Sequence, residues 1–159
     1  MAVSGYSVSK GLKVGAVGGV IGALVQGILG SIAVQAVGQE IFFVTIARKW
    51  GFGDASVAGG WGLHIVTGLL IGAIFVAVTA SVRQLGLTKT PRAIGFGAGV
   101  GILAWIVLLL PMTYLFLPKD LAMTEFVVGG LIFHILFGVV TAFTAYSLLR
   151  KRTTETVQG

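Results

Sequence analysis

The sequence predicts an all-α integral membrane protein with four transmembrane helices, and three observations predict it. Hydrophobic residues make up 56% of the 159-residue chain and charged residues only 10%, against about 25% charged in an ordinary soluble domain. The mean hydropathy is +1.01. The eleven basic and five acidic side chains are gathered between long uncharged stretches. So few charges cannot cover the surface of a water-soluble fold this size. Soluble enzymes, nucleic-acid readers and disordered regulators are therefore set aside, and no nucleic-acid partner is expected.

Four stretches hold no Asp, Glu, Lys or Arg: residues 14–39, 55–82, 93–118 and 126–149. About 20 apolar residues at ~1.5 Å each cross a hydrocarbon core of ~30 Å, so each stretch carries one helix and none carries two. Backbone groups in lipid must be satisfied within the segment, and the shorter alternating segments of transmembrane strands are absent. The chain reads as a single transmembrane domain, 1–159.

Helix 1 (14–39) carries small residues every fourth position, at Gly15, Gly19, Ala23, Gly27 and Ser31, with a second row at Gly18, Gly22, Gln26 and Gly30. Small residues at this spacing let helix backbones approach closely in lipid. The following segment, Ile41 to Ala47, then Arg48, Lys49 and Trp50, reads as an extension of helix 1 or as an interfacial helix anchored by Trp50 and Phe52. Helix 2 (55–82) repeats the spacing with Gly60, His64, Gly68 and Gly72. A short turn over residues 87–92 ends at Pro91, placed to start helix 3 (93–118). Helix 3 carries the pairs Gly97/Gly101 and Gly95/Gly99, and Pro111 is expected to kink it. Helix 4 (126–149) carries Gly130, His134, Gly138 and Ala142. The polar tail from Thr153 is expected to be mobile. The expected helix-packing positions are Gly15, Gly19, Gly60, Gly68, Gly97, Gly101, Gly130 and Gly138.

Orientation follows from the basic residues of short loops. Lys10, Lys13, Arg83, Lys89, Arg92, Arg150, Lys151 and Arg152 fall on one side, and Arg48, Lys49 and Lys119 on the other. Both termini are therefore expected in the cytoplasm, in a multi-pass protein of the cell membrane. Glu40, Asp54, Asp120 and Glu125 then face outside. The pI near 10.1 is a topology signal, with anionic lipid as a partner. A first apolar stretch longer than a signal-peptide core argues against a cleavable leader. No cysteine is present, which removes disulfides, thiolate metal sites and iron–sulfur clusters.

A shift of seventy residues lays helix 2 on helix 4. It matches Val57/Val127, Gly59/Gly129, Gly60/Gly130, His64/His134, Ile65/Ile135 and Gly68/Gly138, six identities in twelve positions. A shift of eighty lays helix 1 on helix 3 through Gly15/Gly95, Gly19/Gly99 and Val20/Val100. The pattern reads as a duplicated two-helix hairpin with a parallel pseudo-twofold axis.

His64 and His134 are the ionisable residues well inside the spans, at matching depths, and such residues are functional candidates. One reading is structural, each imidazole satisfied by a backbone carbonyl, Gln26 or a neighbouring subunit. Another is a bis-histidine b-type haem, which needs two imidazoles at one depth and glycine-rich neighbours beside the porphyrin. In that respect the chain resembles a cytochrome b four-helix core with one haem site. A metal site shared with Glu40, Asp120 or Glu125 suits zinc or copper by ligand type, but those carboxylates lie ~14 Å away along the helices. No metal ligand set and no catalytic residues are expected. Trp61, Trp105, Tyr114 and Phe116 read as lipid-facing or belt residues.

The repeated pattern Gly59-Gly60…His64…Gly68 and Gly129-Gly130…His134…Gly138 resembles small archaeal four-helix membrane proteins. That resemblance implies the fold and an archaeal source, and it brings no catalytic residues. The expected function is a non-catalytic membrane subunit or scaffold of a larger complex, such as an archaeal membrane oxidase or monooxygenase. Its partners would be lipid and other membrane subunits or a second copy. A b-haem electron carrier and a small transporter or channel are the alternatives.

Overall fold

The computed structural model describes residues 6–82 and 85–155, the side chains of residues 151–155 excepted. Arg83, the side chains of Lys151 and Arg152, and the tail after residue 155 thus lie outside the described residues. The chain forms α1 (Val8–Ala36), α2 (Phe42–Lys49), a short 3-10 turn (Gly53–Ala55), α3 (Ser56–Ser81) and α4 (Thr90–Ala104). A π-helical turn (Trp105–Leu109), α5 (Leu110–Phe116), a second 3-10 turn (Pro118–Ala122) and α6 (Thr124–Glu155) complete it. Four spans are long and apolar enough to cross a membrane: Val8–Ala36, Gly53–Ser81, Thr90–Phe116 and Thr124–Arg150.

The helix limits differ from the uncharged stretches for identifiable reasons. α1 starts earlier because the Ser7 hydroxyl caps it, accepting from the Lys10 backbone N–H at 3.2 Å. Lys10 and Lys13 then occupy the first turns of the helix. α1 ends at Gly38, whose φ of 72° lets Gln39 N–H reach Val34 O at 2.9 Å and Gly38 N–H reach Gln35 O at 3.0 Å. That stop makes the next segment a separate helix, α2, and not an extension of α1. At the other end α6 continues to Glu155, so the expected tail is still helical over residues 153–155.

The irregularity at Pro111 takes the form of the π turn just before it. Proline lacks a donor and its ring collides with the carbonyl four residues back; one wider turn relieves that conflict.

α1 is the central helix. It packs against both α3 and α6, α4 packs on α6, and α3 and α6 scarcely touch. The contacts run backbone on backbone. A Cβ on Gly15 or Gly19 would strike the Gly72 or Gly68 carbonyl, and one on Gly18 would lie 2.6 Å from the Thr141 carbonyl oxygen. Between α4 and α6, Gly97 lies against Gly138, and Gly101 against His134. Gly60 carries the backbone of α2 at Phe43 and Val44, and Gly130 faces Leu109 and Trp105. Gly95 and Gly99 face open space. The shift of eighty residues therefore aligns Gly19 with a glycine that touches nothing. In contact terms the counterpart of Gly19 is Gly97, since each meets the glycine carbonyl at matching positions, Gly68 and Gly138.

The end of the bundle holding the start of α1, the end of α3 and the start of α4 is tightly closed. Tyr6, Val76, Ala80, Leu87, Ala93, Ala145 and Leu149 form one buried cluster there. Thr79 donates to Val76 O at 2.8 Å, which leaves its oxygen to accept from the Tyr6 hydroxyl at 2.8 Å. The opposite end, called distal below, is looser.

Candidate functional site: a cavity around the histidine pair

The cause of the looser distal end lies in the small-residue row of α1. From Gly11 to Gly22 the row meets backbone of α3 and α6, but beyond Ala23 it meets side chains. Gly27 faces the Trp61 ring and His64 Nε2, and Gly30 has only the Phe133 ring, 3.9 Å from where its Cβ would stand. Large rings on α3 and α6 thus hold the helices apart where small ones drew them together. The gap is a cavity of about 650 Å3, within the ~300–1,000 Å3 range of small-molecule sites.

The cavity deepens from Gln39, Trp50, Met123 and Glu125 at the distal rim to Ala23, Gly68, Ile71 and Phe137 at the floor. Its walls are mainly apolar and aromatic. α2 lies across the rim and ties the two sides together. Phe42 meets Phe126 with ring centroids 5.8 Å apart, and Phe43 meets Trp61 edge-on at 4.9 Å and stacks on His64 at 4.6 Å. Trp50 reaches Phe116 at 6.1 Å. Outside the long helices, the Thr45 hydroxyl donates to Glu40 Oε2 at 2.6 Å and Arg48 pairs with the same carboxylate. The Thr45 bond is the largest cause that holds the Glu40 carboxyl below the usual range; desolvation comes next and opposes it, and the hydrogen bond and charge of Arg48 add to the lowering.

His64, His134 and Gln26 all line the cavity near its floor. The His64 Nε2–H donates to the Ala23 carbonyl at 3.0 Å, across from α3 to α1. The His134 Nδ1–H donates to the Gly130 carbonyl at 2.7 Å, one turn back in its own helix. The Gln26 amide nitrogen lies 3.3 Å from that same Nδ1. The two histidines, matched in sequence, are thus bonded differently, one between helices and one within a helix. Of the glycine stretches expected to flank a porphyrin, Gly15 to Gly22 and Gly95 to Gly101, Gly15, Gly19, Gly97 and Gly101 meet the backbone of a neighbouring helix, whereas Gly95 and Gly99 face open space.

Glu125 lies at the rim of the same cavity, whereas Glu40 and Asp120 do not line it. Among the described residues no three His, Asp or Glu side chains come together as a metal-binding group. Tyr114 is exposed, as expected of a belt residue. Trp61 and Trp105 are not simply lipid-facing: Trp61 packs on Phe43 and His64, and the Trp105 indole N–H is buried without a partner. Ser31 was placed only in a packing row by its spacing, yet it lines the cavity with a buried, unpartnered hydroxyl. Its polarity within a glycine row is the signal that would have set it apart.

The fold and cavity define an all-α chain with four helices long and apolar enough to span a membrane. No protein-family model, curated protein or solved structure matches it.

Proposed function

We propose that this chain is a non-catalytic integral membrane subunit, built as a scaffold for lateral contacts within a larger membrane complex. The observation that carries this reading is the division of the helix surfaces. Ile28 and Ile32 of α1, Leu70 and Ile74 of α3, Leu103 of α4 and Ile132 of α6 are exposed, while small residues and interhelical hydrogen bonds occupy the inside. A soluble monomer does not carry apolar surface on that scale; lipid or neighbouring helices must cover it. In this reading both termini are cytoplasmic, and the two hairpins, α1–α3 and α4–α6, are copies of an ancestral unit. In this reading the His64 imidazole joins α3 to α1, and the His134 imidazole donates within α6.

The test is the mass of the particle extracted with its surrounding lipid by a styrene–maleic acid polymer from cells at native expression. A particle containing a second polypeptide in fixed ratio is the expected result. A lone 16.5 kDa chain overturns the scaffold reading.

A b-type haem on His64 and His134 has one observation in its favour, the single cavity that both side chains line. His64 would have to release Ala23 to offer Nε2 to iron. An absorption spectrum of the purified protein separates the two: the scaffold reading expects no reducible Soret band, and such a band with loss in His64→Ala supports the haem.

A further inference from the structure

The polar atoms around the cavity floor are not all accounted for. His134 Nδ1 sits 2.7 Å from a carbonyl oxygen, so that nitrogen carries the proton and Nε2 carries a lone pair. Among the described residues, the His134 side chain makes no other hydrogen bond than those at Nδ1. The Gln26 amide nitrogen faces this protonated Nδ1 at 3.3 Å, where it finds no acceptor. Turning the amide over brings its oxygen to Nδ1–H and turns the NH2 away from His134. Gln26 is only 9% exposed and Ser31 only 7%, and the Ser31 hydroxyl has no partner. Polar groups in an apolar setting are paired in native proteins with few exceptions; among the described residues, the His134 Nε2 lone pair has no hydrogen-bond partner and the Gln26 NH2 has no acceptor as placed.

We propose that the cavity binds one uncharged aromatic molecule bearing a hydroxyl, of the phenol or quinol class, with the hydroxyl seated between Gln26 and His134. A hydroxyl is the group that fits, since it donates to the His134 Nε2 lone pair and accepts from the Gln26 NH2. A carboxylate or ammonium headgroup would enter an apolar site with no opposite charge at the floor, at a large desolvation cost. Phe43 and Phe133 along the walls and Phe137 at the floor favour a ring, through offset and edge contacts. The proposal is independent of the subunit reading, since a scaffold and a lone chain can both hold the ligand.

The experiment titrates 4-nonylphenol, its methyl ether 4-nonylanisole and dodecanol into the full chain in lipid nanodiscs, with empty nanodiscs as the blank. Quenching of tryptophan fluorescence is the readout, since Trp50 lines the cavity. Saturable binding of the phenol, one per chain, about tenfold tighter than the ether, is expected for one buried hydrogen bond that the ether cannot donate. Gln26→Leu should lower phenol affinity to the level of the ether. Dodecanol, with the hydroxyl but no ring, should bind more weakly than the phenol. Gly30→Leu should abolish binding of all three. Its Cβ has only the Phe133 ring at 3.9 Å, so this variant fills the cavity without disturbing a helix contact, and it keeps the test intact if Gln26→Leu fails to fold. Equal affinity for phenol and ether overturns the assignment of the polar floor, and equal affinity for dodecanol overturns the aromatic class. Absence of saturable binding, or binding unaltered by Gly30→Leu, means that the cavity holds only water or bilayer lipid.

Discussion

A single absent methyl group decides whether these helices can meet. A Cβ on Gly19 would collide with the Gly68 carbonyl and sit 3.1 Å from Gly72 Cα. Both are backbone atoms, which cannot step aside as a side chain can. We predict that Gly19→Ala lowers stability by about 1–3 kcal/mol, the usual cost of overpacking. Gly99→Ala, whose Cβ would meet nothing within 4 Å, should be neutral or stabilising by up to about 1 kcal/mol through better helix propensity. Thermal midpoints of both variants in one mild detergent check the contrast, and equal losses would refute the contact assignment. Glu40 gives a second prediction at this scale. Because its folded carboxyl titrates below its ordinary value, the stability from its Thr45 and Arg48 contacts is complete above the unfolded value. That stability fades as pH falls through the lowered folded value. Thr45→Val removes the largest cause, so the Glu40 midpoint should rise toward the ordinary carboxylate value in a carbon-13 NMR titration. A midpoint that stays put would show that Arg48 alone sets it.

Among the elements, α2 depends most on its neighbours. Eight residues cannot sustain a helix in isolation, because the nucleation cost outweighs so few hydrogen bonds. What holds α2 is the seat of Phe43 and Val44 on Gly60, the stacking of Phe43 on His64 and its edge-on contact with Trp61. Arg48 and Lys49 in its last turn also suit the negative end of the helix dipole. Phe43→Ala removes two aromatic contacts worth about 0.5–1.5 kcal/mol each beyond area burial. Hydrogen exchange over residues 42–49 should therefore speed up by about tenfold or more while the α1–α3 contact region stays protected. Equal protection in the variant would mean that α2 is held by its backbone seat alone. The π turn before Pro111 was expected only as a kink. Sequence marks where a proline breaks the ladder, whereas the packing around Trp105 and Leu109 determines how the break is absorbed.

For the whole molecule, orientation is the quantity on which the subunit proposal's geometry depends. The chain has no cysteine, so single cysteines report cleanly. With both termini inside, Lys119→Cys should react with a membrane-impermeant maleimide on intact cells and Lys89→Cys only after lysis. The reverse pattern would place the cavity mouth on the cytoplasmic side. Much of this architecture was readable from the amino acids alone. Uncharged stretches long enough to cross a bilayer demand helices, since lipid offers backbone groups no other partner, and the four helices lie where those stretches lie. His64 and His134 stood out because imidazoles in an apolar run are costly unless they have work. Periodicity also separates the small-residue face of each helix from the bulky one. It does not say which face meets which helix; the packing sets Gly97 and Gly101 against α6 and leaves Gly95 and Gly99 facing open space. The cavity was hidden for the same reason. It arises from the sizes of side chains on three helices facing one point, Trp61, Phe133 and Gly30 among them, and residues so far apart in the chain share no local pattern. Local chemistry sets what each helix is, and the spacing between helices, where the unspent hydroxyl of Ser31 and amide of Gln26 lie, is settled only when the surfaces are brought together.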